Sequence, residues 1–443
     1  MTDTVDTTDT QSFLNPDIRT PEMEMAETGG GVPPVAELAI EDINPVNPHL
    51  FKEDRWQEVF ARLRSDDPVH FNELETAGRY WSITTYDDVR AVDGDWETFS
   101  SAKGITLGIE EAATGEIDVQ AGPTPFIAMD PPTHAEQRKT VRGVSAPSNL
   151  RNIEPMIRER TGALLDSLPE GEAFDWVDTV SIELTTLMLA TLFDFPMEDR
   201  RKLTRWSDIV FAVPEPGGVV ESQQQKVDEL LECVAYFSKL WDERRGGDGF
   251  DLVTMLANGE DTKHMSPMEQ LGNLLLLIVG GNDTTRNTMS GSVHAMNLFP
   301  DQFDKLKADP EGVMPRFVPE VIRWVTPLAY MRRTATKDTV IGDKQIREND
   351  QILMWYISAN QDESVFPNGE VLDVDRDNAD RQLSFGYGIH FCMGSRVAEL
   401  QLRVLWEEIL KRFDKIEMVG EPERVFSSFV HGYAKMPVKV TRL

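Results

Sequence analysis

The chain has 443 residues, of which 40% are hydrophobic and 27% are charged, so it has enough apolar surface for a large core. Its formal net charge of −32 disfavours nucleic acid and anionic membranes as partners, because both carry negative charge. A neutral or apolar small molecule suits this balance better, although an acidic excess is equally compatible with a role in solubility alone.

The first segment, residues 1–45, is rich in Thr, Asp, Glu and Pro and has little apolar periodicity, which predicts a disordered tail. The chain start has neither the basic nor the apolar region of a secretory signal. The longest strongly apolar run, 274–279, is far shorter than a membrane-spanning helix. We therefore expect a cytoplasmic protein without a membrane anchor. The two cysteines, Cys233 and Cys392, agree with a reducing compartment, and Cys233 lies in a helical pattern typical of a buried side chain.

Helical patterns dominate from Glu53 onward, as in the spacing of Trp56, Phe60 and Leu63. Beyond the tail, the sequence therefore predicts a mainly α fold with minor β structure. Strand patterns are confined to three stretches: 80–86, 339–357 and 428–440.

One predicted helix is exceptionally long. Ser266, Pro267 and Glu269 form a capping-box start with proline at the first helical position, and the next proline is Pro300. The implied helix is roughly 50 Å long at 1.5 Å per residue, enough to cross a domain. Its middle, LLLLIV, is apolar on every side, which predicts burial at the centre of the fold.

The strongest motif is FGYGIHFCMG, in which Phe385, Gly388, Cys392 and Gly394 follow the order F-x-x-G-x-x-x-C-x-G. A thiolate that ligates haem iron needs a tight loop whose backbone N–H groups point at the sulfur, and glycines permit that approach. The motif resembles the cysteine loop of the cytochrome P-450 family.

This resemblance implies a haem b cofactor with Cys392 as the axial iron ligand. Phe385 matches the aromatic residue that shields the sulfur, and Gly388 and Gly394 match the two turn glycines. His390 matches a haem-propionate contact, with an ordinary loop histidine as the alternative.

The long helix contains GGNDTT at 280–285. Glycine costs a helix roughly 1 kcal/mol relative to alanine, so two glycines in a buried centre indicate a bend or a pocket. Taken alone, the motif is more typical of a kink with a solvated aspartate. The resemblance implies that Asp283 and Thr284 are the acid and alcohol that deliver protons for oxygen activation.

Glu320 and Arg323 lie three residues apart and share a helical face. The resemblance implies a structural ion pair that supports the cysteine loop. The same spacing recurs in two pairs that we expect to be exposed: Glu198 with Arg201, and Glu421 with Arg424.

Other basic residues are candidates for haem propionates, which are anions that need charged donors. His134 and Arg138 in DPPTHAEQRK lie on one helical face and match the family's propionate pair. In LAYMRRTA, Arg332 is the better match to the next contact and Arg333 the alternative. Surface solvation is the competing interpretation for each.

The resemblance extends over residues 46–443, which implies a single haem domain with the long helix over the haem and a small β-rich lobe. Four segments look most like the soluble bacterial hydroxylases of alkane and fatty-acid terminal carbons: GGNDTTRNTMSG, MDPPTHAEQRKTV, QILMWYISANQDESVF and AELQLRVLWEEIL. The stretch VLDVDRDNADRQLSFGYG, and Ser395, depart from that subfamily and leave the substrate open. The alternatives are a hydroxylase of a terpenoid or another apolar metabolite, and a peroxygenase.

The implied reaction hydroxylates an unactivated C–H bond with O2 and two electrons. We expect a monomer that receives the electrons from a separate ferredoxin and its reductase, with a basic docking patch within 134–160. We also predict five residues that line the substrate pocket, although ordinary packing explains their positions at least as well as substrate contact does. These residues are Leu276, Gly280, Gly281, Leu328 and Phe211.

Overall fold

The computed structural model describes residues 19–27, 32–110, 124–210, 212, 214 and 217–443. Helices dominate this part of the chain and strands form small sheets, as predicted. The helices are α1 (Pro21–Ala26), α2 (Pro48–Lys52), α3 (Trp56–Asp66), α4 (Tyr86–Gly94), α5 (Thr133–Val141), α6 (Pro147–Asp166), α7 (Glu183–Leu192), α8 (Arg201–Val210), α9 (Gln223–Arg244), α10 (Leu252–Asn258), α11 (Pro267–Leu298), α12 (Pro300–Ala308), α13 (Pro310–Val325), α14 (Tyr356–Ala359) and α15 (Ser395–Leu410).

The largest described sheet combines strands from both halves of the chain, in the order β1-β2-β8-β5-β3. Its β2–β8 pair is parallel and its other pairs are antiparallel. Smaller sheets pair β4 with β12 and β9, β6 with β7, and β10 with β11. The strands are β1 (Val69–Leu74), β2 (Gly78–Ile83), β3 (Phe99–Ser100), β4 (Phe174–Asp175), β5 (Met331–Ala335), β6 (Thr339–Ile341), β7 (Lys344–Ile346), β8 (Gln351–Met354), β9 (Phe413–Met418), β10 (Glu423–Arg424), β11 (Tyr433–Lys435) and β12 (Pro437–Arg442).

Helix α11 is the predicted long helix, and it begins with the expected capping box. The Ser266 hydroxyl accepts from the Glu269 N–H, and the Glu269 carboxylate accepts from the Ser266 N–H at 2.8 Å. The helix contacts α7, α8, α13 and α15. It contributes side chains to both large apolar clusters, Met289 and Val293 to one and Ile278 to the other, so it lies at the centre of the fold.

The predicted disorder of residues 1–45 is wrong for the described part of that segment. Met25, Val35 and Ile43 are buried and pack in the same apolar cluster as Leu50 and Trp355. The sequence pattern missed this because isolated apolar side chains produce no amphipathic periodicity. Each of them nevertheless packs into a core that other elements form. The folded domain therefore begins before residue 46.

Among the residues that the structure describes, no helix combines the length and the apolar character needed to cross a membrane.

Candidate active site

The cysteine loop immediately precedes α15. The Cys392 N–H donates to the Phe385 carbonyl at 2.8 Å, which closes the loop on itself. Burial raises the pKa of the Cys392 thiol, whereas the backbone N–H groups of Gly394 and Ser395 and the charge of Arg138 act in the opposite direction. These N–H groups point at the sulfur, as the motif predicts for a loop that holds a thiolate.

Glycine is required at Gly388 by both conformation and space. Its φ is +70°, and an added Cβ would lie 2.7 Å from the Asp93 carbonyl oxygen. Gly394 has an ordinary φ of −86°, and an added Cβ there would lie 3.9 Å from the Cys392 sulfur. The Phe385 ring is partly buried in the large cluster that contains α11 side chains.

His134 on α5 and His390 before the cysteine lie together, with ring centroids 4.2 Å apart. Burial lowers the pKa of His134 to about 4 and that of His390 to about 2, so both rings are neutral. Within the described part of the chain, the Nε2 of His134 and the Nδ1 of His390 are buried without a hydrogen-bond partner. Two orphaned buried ring nitrogens beside the cysteine loop fit a polar group supplied by a bound cofactor.

Arg138 joins α5 to the cysteine loop. Its guanidinium donates to the carbonyl of Phe391, the residue before the cysteine. The Phe391 side chain is 45% exposed, so this side of the loop lies close to the protein surface.

The neighbouring arginines of β5 point to opposite faces of the strand, as successive strand residues do. Arg332 donates to the carbonyls of Lys103 and Gly104 and to the Gln351 side chain. Arg333 instead contributes to the lowered pKa of both site histidines. The charge that affects both site histidines is thus that of Arg333, the alternative in the sequence analysis, rather than that of Arg332.

The sequence analysis missed Asp93, at the end of α4. Its buried carboxylate accepts from Arg333 at 2.6 Å, from the Tyr356 hydroxyl at 2.7 Å and from the Tyr387 N–H at 2.8 Å. The available signal was the position of Asp93, four residues after buried Val89 on a helix, where an apolar residue is expected. Asp93 thus ties the cysteine loop to the arginine that faces the site.

Asp283 and Thr284 lie on different faces of α11. The Thr284 hydroxyl donates to the Gly280 carbonyl at 2.9 Å. Asp283 is buried against α8, where it accepts from Ser207 at 2.9 Å and pairs with Arg286 at 3.0 Å. Burial raises the pKa of Asp283, and the charge of Arg286 opposes that shift. The two predicted catalytic groups are therefore adjacent in sequence but have separate partners.

Glu320 and Arg323 form a fully buried ion pair at 2.7 Å. Arg376 adds a second cation to Glu320 at 3.1 Å, and Arg323 also donates to three backbone carbonyls of the segment 360–371. The other two E-x-x-R patterns differ, since Arg201 pairs with Asp178 and Glu183, and Arg424 pairs with Asp54.

The predicted pocket residues fall into distinct environments. An added Cβ at Gly280 would meet no atom within 4 Å, so this position faces open space one turn before Thr284. An added Cβ at Gly281 would lie 2.7 Å from Leu189, so Gly281 serves helix packing rather than the pocket. Leu276 packs on an apolar cluster, and Leu328 forms an isolated backbone β-bridge with Val430. Phe211 lies outside the described residues.

Comparisons with known proteins agree with this geometry. The cytochrome P-450 family model matches residues 218–439. The chain is 33% identical to linalool 8-monooxygenase of Pseudomonas putida over 402 residues, covering 88% of this chain and 97% of that protein. It is 30% identical over 425 residues to methyl-branched lipid omega-hydroxylase of Mycobacterium tuberculosis, covering 92% and 96% respectively.

Solved structures give the same result. CYP153D17 from Sphingomonas sp. PAMC 26605 has a TM-score of 0.83 and 47% sequence identity, covering 91% of this chain and 99% of that one. CYP108D1 from Novosphingobium aromaticivorans has a TM-score of 0.79 and 27% identity, covering 90% and 97%. The family uses haem b and O2. Two features of the site fit that cofactor: the histidine ring nitrogens without a partner, and the Cys392 thiol, toward which backbone N–H groups point. The chain belongs to the cytochrome P-450 family and is a haem-dependent monooxygenase that hydroxylates apolar substrates.

Proposed function

We propose that this monooxygenase hydroxylates the terminal carbon of a medium-chain alkane or fatty acid. The observation that carries the proposal is the open space over Gly280, one helical turn before Thr284. A glycine at that position lets a slender chain end approach, whereas a side chain would obstruct it. The similarity to a lipid omega-hydroxylase supports a terminal site of oxidation.

Five residues would hold the haem. Cys392 would bind the iron through its sulfur, and neutral His134 and His390 would donate ring N–H groups to the propionates. Arg138 and Arg333 would supply the charged donors. The haem, when bound, supplies the redox chemistry that activates O2. The protein contributes position, proton supply and exclusion of water.

Thr284 and Asp283 have different tasks in this proposal. The Thr284 hydroxyl donates to the Gly280 carbonyl, which fixes its oxygen on the pocket side of α11 as an acceptor for a proton donor there. Asp283 lies on the α8 side, and its raised pKa lets its carboxyl exchange protons closer to neutral pH than an exposed aspartate does. Arg286 and Ser207 hold that carboxyl in place. Together the two residues supply protons from outside the pocket.

Electrons come from a separate ferredoxin and its reductase, and the chain acts as a cytoplasmic monomer with one haem domain. The docking patch takes up only part of the segment 134–160. Arg158 pairs with Glu154, Glu407 and Glu408, and Arg160 donates to α7 groups. The exposed basic side chains of the segment are those of Lys139, Arg142 and Arg151.

A terpenoid substrate is the second candidate, because the chain is also similar to linalool 8-monooxygenase. A peroxygenase is disfavoured, since it has no need for the proton supply assigned to Asp283 and Thr284.

Turnover with a ferredoxin, its reductase and either decane, decanoate or linalool distinguishes the substrates. We expect terminal alcohols from the linear chains by gas chromatography and mass spectrometry. Cys392→Ala is the matched control, because it removes the iron ligand and should abolish both product and the thiolate-type spectrum of the reduced carbonyl complex. Products from linalool alone would overturn the linear-chain assignment.

A further inference from the structure

Glu22 of α1 lies in a polar cradle formed by the segment that precedes β11. Its carboxylate accepts from the Ser428 N–H at 3.3 Å and from the Ser427 hydroxyl. The Ser427 oxygen already accepts from the N–H groups of Phe429 at 3.1 Å and Val430 at 3.2 Å. The Ser427 hydrogen is thereby directed to the carboxylate, so the cradle presents two oriented donors to one anion.

A cation lies beyond the direct contacts of the cradle, close enough for its charge to affect Glu22. Lys226 lies in the first turn of α9, and its ammonium donates to the Ala212 carbonyl at 3.1 Å. Burial lowers the pKa of Lys226 to about 8, and the charge of Glu22 acts in the opposite direction. Burial likewise raises the pKa of Glu22, and Lys226 counteracts it. Both groups are thus partly desolvated, and each charge favours the ionised form of the other.

The segment that forms the cradle is joined to Leu328, which we predicted to line the substrate pocket, through a β-bridge between Leu328 and Val430. The Leu107 N–H donates to the Tyr330 hydroxyl at 3.3 Å, and Ala329 N–H donates to the Phe429 carbonyl at 2.9 Å. Burial raises the pKa of Tyr330, and the negative charge of Glu22 acts in the same direction.

We propose that Ser427, Ser428 and Lys226 form a binding site for the carboxylate of a fatty acid, and that Glu22 occupies this site as an internal competitor. The inference rests on the proposed terminal hydroxylation, in which the methyl end meets the haem and the polar end points away. A hydroxyl and a backbone N–H that donate to one carboxylate, with an ammonium whose charge favours that anion, are the groups that such an end group needs.

The competitor is held independently of its own carboxylate. The Glu24 carboxylate accepts from the Thr76 N–H at 2.9 Å and from the Thr76 hydroxyl at 2.6 Å, and Met25 is buried in the core. Replacing Glu22 therefore empties the cradle and leaves the segment anchored. Glu27, an exposed residue that pairs with Arg19, offers a matched control on the same segment.

Calorimetric titration of the holoenzyme with matched acid and alcohol ligands tests the site. The pairs are decanoate with 1-decanol, and geranate with geraniol. We expect Glu22→Ala to tighten carboxylate binding about tenfold, because removal of an internal competitor frees the binding-competent state. The alcohols and the Glu27→Ala control should stay within about twofold of their starting Kd values, and adding Lys226→Met to Glu22→Ala should cancel the gain.

The outcomes separate the two proposals. Equal changes for acid and alcohol, or no tighter binding of any carboxylate to Glu22→Ala, would overturn the carboxylate site. If neither decanoate nor decanol binds but geranate binds more tightly to Glu22→Ala than to the unmodified enzyme, the site stands and the linear-chain function fails. Melting temperatures of all variants check that each is folded.

Discussion

Asp93 and Arg333 form a buried ion pair, 2.6 Å between Oδ1 and Nη2, that joins the end of α4 to β5. The other carboxylate oxygen accepts from Tyr356 and from the Tyr387 N–H in the cysteine loop. One side chain therefore positions both the cysteine loop and an arginine assigned to the haem.

Asp93→Asn should destabilise the protein by about 3 kcal/mol, because it leaves the Arg333 charge buried without its anion. Chemical denaturation measures this loss, and the rate of haem transfer to apomyoglobin should rise in parallel. Asp87→Asn, an exposed residue of the same helix, should change stability by less than about 0.5 kcal/mol. Equal effects of both variants would contradict the positioning role.

Glu320→Gln should cost about 3 to 5 kcal/mol, since it removes the anion that Arg323 and Arg376 share in a fully buried place. Glu421→Gln is the matched control, because Glu421 is exposed in the same sequence pattern. Its cost should be under about 0.5 kcal/mol by denaturant titration. A loss at Glu320 as small as that at Glu421 would show that the network is not structural.

In Thr284→Ala, the electrons should be diverted to hydrogen peroxide, and the yield of alcohol per electron pair should fall by about tenfold or more. Thr284→Ser should restore coupling because it returns the hydroxyl. Thr288→Ala is the control one turn along, where the Oγ1 donates to the Thr284 carbonyl at 2.8 Å, and it should stay coupled. Measuring peroxide and alcohol in the same ferredoxin-driven reaction checks the prediction, and unchanged coupling in Thr284→Ala would refute it.

Charge reversal at Arg142 and Arg151 should slow the first electron transfer from ferredoxin about tenfold at low salt and flatten its salt dependence. Both side chains are exposed, so the variants test association rather than folding. Lys239→Glu, an exposed residue on α9, is the control for net charge. Stopped-flow reduction under carbon monoxide measures the rates. Equal rates for the unmodified enzyme, the charge-reversal variant and Lys239→Glu would exclude this docking surface.

Stability should fall as the pH drops below about 6.5. Burial lowers the pKa of His294 and of His431 to about 4. The charge of Arg424 lowers both pKa values further, whereas the charge of Asp54 opposes the shift. Above about pH 6.5 these rings are neutral whether the chain is folded or unfolded, so their contribution is fully present there. Between about pH 6.5 and 4 the unfolded chain takes up protons that the folded chain refuses, and stability is lost.

At pH 5 each histidine should account for about 2 kcal/mol of this loss. His294→Gln should recover about that amount of the difference between pH 7 and pH 5 in urea denaturation. His264→Gln, at an exposed position, should leave the difference unchanged. A pH dependence unaltered by His294→Gln would show that this buried ring does not contribute.

The sequence predicted the features that depend on local rules. The capping box and prolines located α11, and the glycine spacing located the loop at Cys392, because both follow from backbone geometry within a few residues. The pair of Glu320 and Arg323 lies within one helical turn, but the same spacing forms no such pair at two other places, so only the family resemblance singled it out.

Features that depend on distant pairing were not predictable. The Asp93 contact with Arg333 joins residues 240 positions apart, and the helical position of Asp93 signals its burial but not its partner. The choice between Arg332 and Arg333 depends on which face of β5 meets the site, which the sheet decides. The packing of Met25 depends on a core that other segments build.

The parallel pairing of β2 with β8 bears on how the chain folds during its synthesis. Tyr80 lies opposite Gln351, so the central sheet cannot close until most of the chain has left the ribosome. Until then β2 presents an unpaired edge, which is prone to pair with other chains. Slow translation or a shortage of chaperones should therefore lower the yield of this enzyme more than that of helical proteins whose contacts are local.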